Sequence, residues 1–108
     1  MKYQLNISPL AWSDINGISE YISNDLKYSQ VAKNILEGLL ESISNLKNFP
    51  ESNPRLFVAG NIDSGYRYSL YKNYMCFYRI CEKKIFVDRV LYAKSNYLSI
   101  LFKEKLDK

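Results

Sequence analysis

The spacing of apolar residues changes near the middle of this chain. Before residue 50 they recur every three or four positions, as in Ile15, Ile18 and Ile22, which places them along one face of a helix. After residue 65 they form short runs of strand length bounded by turn residues. A chain in which helices precede a series of strands belongs to the α+β class, and 108 residues are enough for one domain with its own core.

Two amphipathic helices are predicted in the first half. Ser8-Pro9 supplies a favourable N-cap and first residue for a helix that ends near Asn24-Asp25. The second helix is predicted from about Tyr28 to Asn48, and the link is short enough for the two helices to form an antiparallel hairpin. We expect this hairpin to pack on the sheet through six aliphatic side chains: Ile15, Ile18, Ile22, Ile35, Leu39 and Ile43.

Four strands are predicted around the hairpin. They are Tyr3–Ile7, Gly65–Tyr71, Tyr74–Ile80 and Ile85–Tyr92. The segment from Glu51 to Gly65 is rich in Pro, Asn and Gly and is predicted to be an irregular connection. A short last helix follows a cap at Ser95 or Asn96. The order is therefore β-α-α-β-β-β-α, an N-terminal helical hairpin packed on a small antiparallel sheet in a single domain, 1–108.

Several kinds of chemistry are excluded by composition. The chain has no histidine, so a Ser-His-Asp or Cys-His arrangement cannot be formed. Cys76 and Cys81 are five apart in a predicted strand and face opposite sides, so we expect free thiols rather than a disulfide. No metal site or cofactor is expected. No signal peptide follows Met1 and no apolar run approaches the length of a membrane span, so we expect no membrane association and a cytoplasmic protein.

Positive charge is concentrated in the second half. Residues 1–54 carry four lysines against six acids, whereas residues 55–108 carry eleven Lys and Arg against five acids. Any contact with an anionic partner is therefore expected in the second half. In the first half, Asp14 and Glu20 are predicted to lie on the solvated face of the first helix.

The predicted strands carry cations whose roles are open. An arginine in an apolar strand is costly to bury alone, so Arg79 and Arg89 either form structural ion pairs or contact an anionic ligand. Asp88 and Glu82 are candidate partners. For Arg67 we favour a functional role, because it lies just after Gly65 at the start of its strand. The strand tyrosines fit either a core and partner interface or a platform on which bases stack.

Four segments together resemble the RelE/ParE superfamily of toxins from type II toxin–antitoxin systems. They are DINGISEYI (Asp14–Ile22), LKNFPES (Leu46–Ser52), YRYSLYKNYMCFYRI (Tyr66–Ile80) and DRVLYAKSNYLSILF (Asp88–Phe102). The resemblance covers nearly the whole chain in the same order. It implies a growth-arresting toxin and a cognate antitoxin that wraps around it.

The resemblance also implies one of two targets. RelE-like members cleave mRNA on the ribosome, whereas ParE-like members poison DNA gyrase and have no nuclease site. Cleavage requires a base for the ribose 2′-OH and cations for the phosphate. The residues that could supply these groups here are Arg67, Arg79, Tyr92 and Lys94.

Compared residue by residue, the nuclease pattern is incomplete. Arg67 occupies a position where RelE carries Lys, but Met75 stands where an essential Arg is expected. Ser95 replaces the Arg expected after the last strand, with Lys94 beside it. Tyr92 begins YAKSN, where ParE-like proteins often have His in a segment resembling HGRRD. The comparison favours the ParE-like type.

Three hypotheses follow from the sequence. The first is a ParE-like toxin that inhibits gyrase, with Arg67, Arg89, Lys94 and Tyr97 as candidates for target binding. The second is a ribosome-dependent mRNA endonuclease, with the ribosome and mRNA as partners. The third is an inactive toxin-fold protein that serves only as a binding partner.

Overall fold

The computed structural model describes residues 3–23 and 29–106 and contains a five-stranded sheet with helices on both faces. The helices are α1 (Pro9–Ser23), α2 (Ser29–Ser44) and α3 (Tyr97–Leu106). The strands are β1 (Gln4–Ile7), β2 (Arg55–Val58), β3 (Ile62–Tyr71), β4 (Tyr74–Cys81) and β5 (Lys84–Tyr92). Two short 3₁₀ turns, Asn45–Lys47 and Pro50–Ser52, connect α2 to β2. The predicted link from Asn24 to Tyr28 lies outside the described residues.

The sheet confirms the α+β class, with two differences in detail from the sequence-based prediction. The strand order is β1-β5-β4-β3-β2, and β2 to β5 form an antiparallel meander. β1 runs parallel to β5, so the sheet is mixed. β2 lies in the segment predicted to be irregular, because Ala59 and Gly60 adopt positive φ angles and turn the chain back into β3.

The two faces of the sheet are covered unequally. On the first, which we call the α1/α2 face, the buried residues are Ala11, Ile15, Leu39, Ile43, Leu46, Cys76, Tyr78, Ile85, Val87 and Val90. On the second, the α3 face, the buried residues are Leu56, Met75, Phe77 and Leu91, with Tyr97 and Leu101 half-buried against them. Strand alternation separates the two sets, since Cys76 and Tyr78 interleave with Met75 and Phe77.

The predicted hairpin core is largely confirmed. Ile15, Leu39 and Ile43 are buried, and Ile18 is half-buried against the same core. Ile22 and Ile35 are half-buried.

On the side away from β4, the second half of β5 has no strand beside it, because β1 ends opposite Val87. Helix α1 supplies hydrogen bonds there instead. The Ser8 hydroxyl donates to the Asp88 carbonyl (3.1 Å) and accepts from the Ala11 amide (3.0 Å), which confirms Ser8 as the N-cap. The Val90 amide donates to the Asp14 carboxylate at 3.0 Å. The start of α1 therefore closes this edge with side chains.

Candidate functional site

Arg89 is fixed by the first helix. Its Nε and Nη2 donate to the two carboxylate oxygens of Asp14 at 2.8 and 2.9 Å, and both side chains are largely buried. This pairing raises the pKa of Arg89. Asp14 is therefore not the solvated residue that the helix pattern predicted, because α1 crosses the edge of β5 at this turn. Of the two roles open for Arg89, the structure shows the ion pair.

Arg79 is also paired, on the α3 face. Its guanidinium donates to Asp88 at 2.7 and 3.3 Å and lies 5.1 Å from the ring centroid of Phe86. A bulge in β5 at Asp88 brings this carboxylate toward both Arg79 and Tyr66, whose hydroxyl donates to it at 3.0 Å. Burial, and then the charge of Asp88, raise the pKa of Tyr66 to about 12. Asp88 was one of the two partners predicted for Arg79.

Arg67 holds the corner between α2 and β2. Its Nη1 donates to the carbonyls of Asn53 (2.7 Å) and Glu51 (3.2 Å). Opposite it on β4, the buried Tyr78 hydroxyl donates to the Pro50 carbonyl at 2.6 Å and accepts from the side-chain Nδ2 of Asn53 at 3.1 Å. Burial raises the pKa of Tyr78. These bonds supply donors to the backbone carbonyls of Pro50 and Glu51, at the end of the LKNFPES segment, and of Asn53 just after it.

The remaining candidates lie near the end of β5. Tyr92 is 42 % exposed, and its ring centroid is 5.9 Å from that of Tyr74. Lys94 is exposed in the turn that follows, and among the described residues its ammonium group has no ion pair. Tyr97, predicted to bind a target, is half-buried with its ring centroid 5.5 Å from that of Phe77. It therefore contributes chiefly to the α3 face.

The four nuclease candidates are not brought together. Arg67 shares the α1/α2 face with Tyr78, whereas Arg79 lies on the opposite face with Phe77. Tyr92 is in register with Tyr74, and Tyr74 with Tyr71. Tyr71 lies four residues beyond Arg67 on β3, which corresponds to about 13 Å along the strand. Arg67 and Arg79 are therefore separated from each other and from the end of β5, where Tyr92 and Lys94 lie.

A groove of about 680 Å³ opens between α1, the end of β5 and α3. We call it the α1–α3 groove, and its main walls are Gly17, Ile18, Tyr21, Tyr74, Tyr92 and Ile100. Sequence reasoning missed this site. The available signals were a glycine inside a helix and the tyrosines outside the core, of which Tyr21 is 82 % exposed.

Two further classes of site are absent from residues 3–23 and 29–106. No helix within these ranges is long and apolar enough to cross a membrane. No group of three or more His, Cys, Asp or Glu side chains in the same ranges could hold a metal ion.

The family is decided by a match over most of the chain. Residues 5–97 match the family described as "ParE toxin of type II toxin-antitoxin system, parDE". The chain belongs to the ParE toxin family. The resemblance seen in the sequence is therefore confirmed, and the protein is a toxin of the type II toxin–antitoxin class. No curated protein matches the chain.

Solved structures show the same fold at low sequence identity. The structure described as a chromosomal ParDE system from P. aeruginosa superposes on this toxin with a TM-score of 0.70 and 14% identity, covering 85% of this chain and 97% of that one. The RelBE2 toxin–antitoxin complex from Mycobacterium tuberculosis gives 0.64 and 17%, covering 85% and 99%. YafQ from E. coli strain BL21(DE3) gives 0.52 and 16%, covering 83% and 92%.

Proposed function

We propose that this toxin arrests growth by binding and inhibiting DNA gyrase and that a cognate antitoxin neutralises it. The observation that carries the proposal is the dispersal of the nuclease candidates. Cleavage of RNA needs a base and phosphate-binding cations around one scissile bond. Here Arg67 and Arg79 lie on opposite faces of the sheet, and each guanidinium already has acceptors within the chain.

Three strand tyrosines other than the nuclease candidate Tyr92 are also unsuited to act as a base. In a chain without histidine, a phenol would have to act as the base, and its pKa would have to fall toward neutrality. Burial instead raises the pKa of Tyr66, Tyr74 and Tyr78, the first of them to about 12. Binding to a protein target requires no such base.

The antitoxin partner is supported by the relatives. The P. aeruginosa structure is of a ParDE toxin–antitoxin system, and the M. tuberculosis structure is of a toxin–antitoxin complex. Exposed apolar side chains on this toxin, including Leu10, Tyr21 and Ile100, are surface that such a partner would bury.

The target is tested by two assays run side by side. The purified toxin is added to a gyrase supercoiling reaction and to a translating extract in which message ends are mapped. We expect loss of supercoiling and unchanged message ends. Cleavage in phase with codons that disappears in Arg67→Ala or Tyr92→Phe, with gyrase unaffected, would replace this proposal with the endonuclease hypothesis.

The antitoxin is tested by expression. Production of the toxin alone should slow bacterial growth, and co-expression of the short reading frame beside its gene should restore it. Harmless expression at verified soluble levels would favour the third hypothesis, an inactive toxin-fold binding protein.

A further inference from the structure

We infer that a cleft between the start of β3 and the end of β4 binds a backbone phosphate of a single-stranded nucleic acid through Arg55 and Arg67. The cleft is lined by these two arginines together with Glu51, Asp63, Gly65 and Ile80. The site is independent of the proposed action on gyrase, which would stand even if the cleft bound nothing. Three features support it: a split in the sheet, two facing arginines and an exposed aromatic ring beside them.

The split in the sheet begins at a glycine of β3. Pairing between β3 and β4 extends to Arg67, and Gly65, two residues earlier, has a φ angle of 89°. The Gly65 amide donates to the Asp63 carboxylate at 2.9 Å instead of to β4. The Tyr66 amide likewise donates to the Ser64 hydroxyl at 3.2 Å. The start of β3 therefore stays paired with β2 and leaves an open space beside the end of β4.

Two arginines face each other across β2 and β3 at this cleft. Arg55 is in register with Arg67, so the two side chains lie on the same face of the sheet. Like charges directly opposite each other destabilise a pair of strands. Asp63 balances one of them, since it accepts from Nη1 of Arg55 at 2.9 Å. Arg67 donates to neutral carbonyls and forms no ion pair within the described residues, so its positive charge remains.

The remaining nitrogens of both guanidinium groups suit a phosphate. Arg55 and Arg67 each donate through Nη1, and neither Nε nor Nη2 has an acceptor in the part of the chain that the structure describes. A guanidinium presents these two donors side by side and can bind two phosphate oxygens at once. Glu51 also lines the cleft, and its carboxylate would repel an anion. Glu51 is therefore expected to weaken binding.

The size of the cleft and a neighbouring ring indicate a strand of nucleic acid. The cleft volume, about 260 Å³, holds a phosphate but is below the roughly 300–1,000 Å³ of pockets that enclose a whole small molecule. The rest of the ligand must therefore lie on the surface. Phe57 is in register with Asp63, shares its face and is 51% exposed. Exposed rings beside cations hold single strands because any unpaired base can stack on them.

The test measures binding of the purified toxin to a fluorescent oligothymidylate by anisotropy at several salt concentrations. The wild-type toxin should bind, with an affinity that falls as salt rises. Arg55→Gln should raise the Kd roughly 5-fold or more at low salt. It should also flatten the slope of log affinity against log salt by about 0.7, the value for one phosphate contact on a single strand. Lys33→Gln removes an exposed charge on α2 outside the cleft and should change neither quantity.

Glu51→Gln should have the opposite effect. It removes the opposing carboxylate but keeps the backbone carbonyl to which Arg67 donates, so the Kd should fall by roughly 2-fold or more. A gain of affinity cannot result from misfolding. Phe57→Ala should raise the Kd for the oligothymidylate roughly 5-fold. Inorganic phosphate should compete only weakly, and to the same extent in wild-type and Phe57→Ala toxins, because it has no base to stack.

Three outcomes would overturn the inference. The first is no binding of oligothymidylate by the wild-type toxin at low salt. The second is unchanged affinity in both Arg55→Gln and Glu51→Gln. The third is equally strong competition by an oligoglutamate of the same charge, which would assign the cleft to acidic peptides. Far-UV circular dichroism and thermal melting confirm that each variant is folded.

Discussion

The α1/α2 face and the α3 face of the sheet are closed to different degrees. Two helices of 15 and 16 residues cover the first, and its central side chains Tyr78, Ile85 and Val87 are fully buried. The second is covered by α3, which departs from helical geometry at Phe102. Leu98 and Ile100 on α3 remain about two-fifths exposed. The first face is closed by its helices, whereas the second leaves apolar surface exposed.

The ion pairs show the same division. Arg89 and Asp14, where α1 meets β5, expose 20% and 13% of their side chains. Arg79 and Asp88, on the α3 face, expose 46% and 23%. Solvent screens the second pair more strongly, so its contribution to folding is smaller. The difference indicates that loss of the Arg89–Asp14 pair will cost more stability than loss of the Arg79–Asp88 pair.

The largest effect is expected from Ile15→Ala. Ile15 is buried against the α1/α2 core, and truncating such a side chain usually costs about 2–5 kcal/mol, because a cavity remains. Chemical denaturation measures the loss of unfolding free energy. Ile18→Ala on the same helix should cost less, since Ile18 is only half-buried. Equal losses for the two variants would mean that burial does not decide stability here.

The second effect concerns Asp14→Ala. This change leaves the Arg89 guanidinium and the Val90 amide without their acceptor, and we expect a loss of about 1–3 kcal/mol. Asp63→Ala is the control, because Asp63 forms an exposed pair with Arg55 at 2.9 Å. The control should destabilise less. If both variants unfold at the same denaturant concentration, the edge contact of α1 is not a source of stability.

A smaller loss of unfolding free energy, about 1 kcal/mol, is expected from Leu101→Ala on the α3 face, because this side chain is half-buried.

Thiol labelling distinguishes the two faces. In a Cys81→Ser background, the buried Cys76 reports opening of the α1/α2 core. Burial raises the pKa of Cys76 to about 12, so the folded thiol is unreactive. Ile15→Ala should speed its labelling, whereas Leu101→Ala should change the rate little. The reverse order would contradict the comparison of the faces.

The smallest effect has the opposite sign. Gly17→Ala should stabilise the toxin by about 0.5–1 kcal/mol, since alanine favours the helix and has open space around it. The melting temperature should therefore rise by a few degrees. Gly38→Ala is the contrasting variant and should destabilise, because its methyl group would overlap Tyr71. A lower melting temperature for Gly17→Ala would show that the glycine serves the toxin's own fold.

Periodicity was sufficient to predict most of the fold. Both long helices, the Ser8 cap and the three long strands could be predicted because each has a repeating apolar pattern or a strong local signal. β2 could not, because its four residues follow Pro54 and its turn uses a positive φ at Ala59, a conformation that alanine rarely adopts. The parallel pairing of β1 with β5 depends on the path of α1 over the sheet, and no local sequence pattern predicts that path.

The candidate site was less predictable, because it depends on which charges meet across the fold. The Arg79–Asp88 pair could be anticipated from neighbouring strands. The Arg89–Asp14 pair joins residues 75 positions apart, and Asp14 alone resembles any solvated helix residue. The groove is similarly formed from three separate elements. Its position could therefore not be predicted from the sequence around Gly17 alone.

The pairing of β1 with β5 has a consequence for synthesis. Gln4–Ile7, made before the other strands, lies beside residues 84–87, made after them, and Ile85 and Val87 complete the central core. Contacts so distant in sequence form slowly. The helices therefore emerge from the ribosome before the strands that cover their apolar surfaces, and the core is complete only after β5 has been translated.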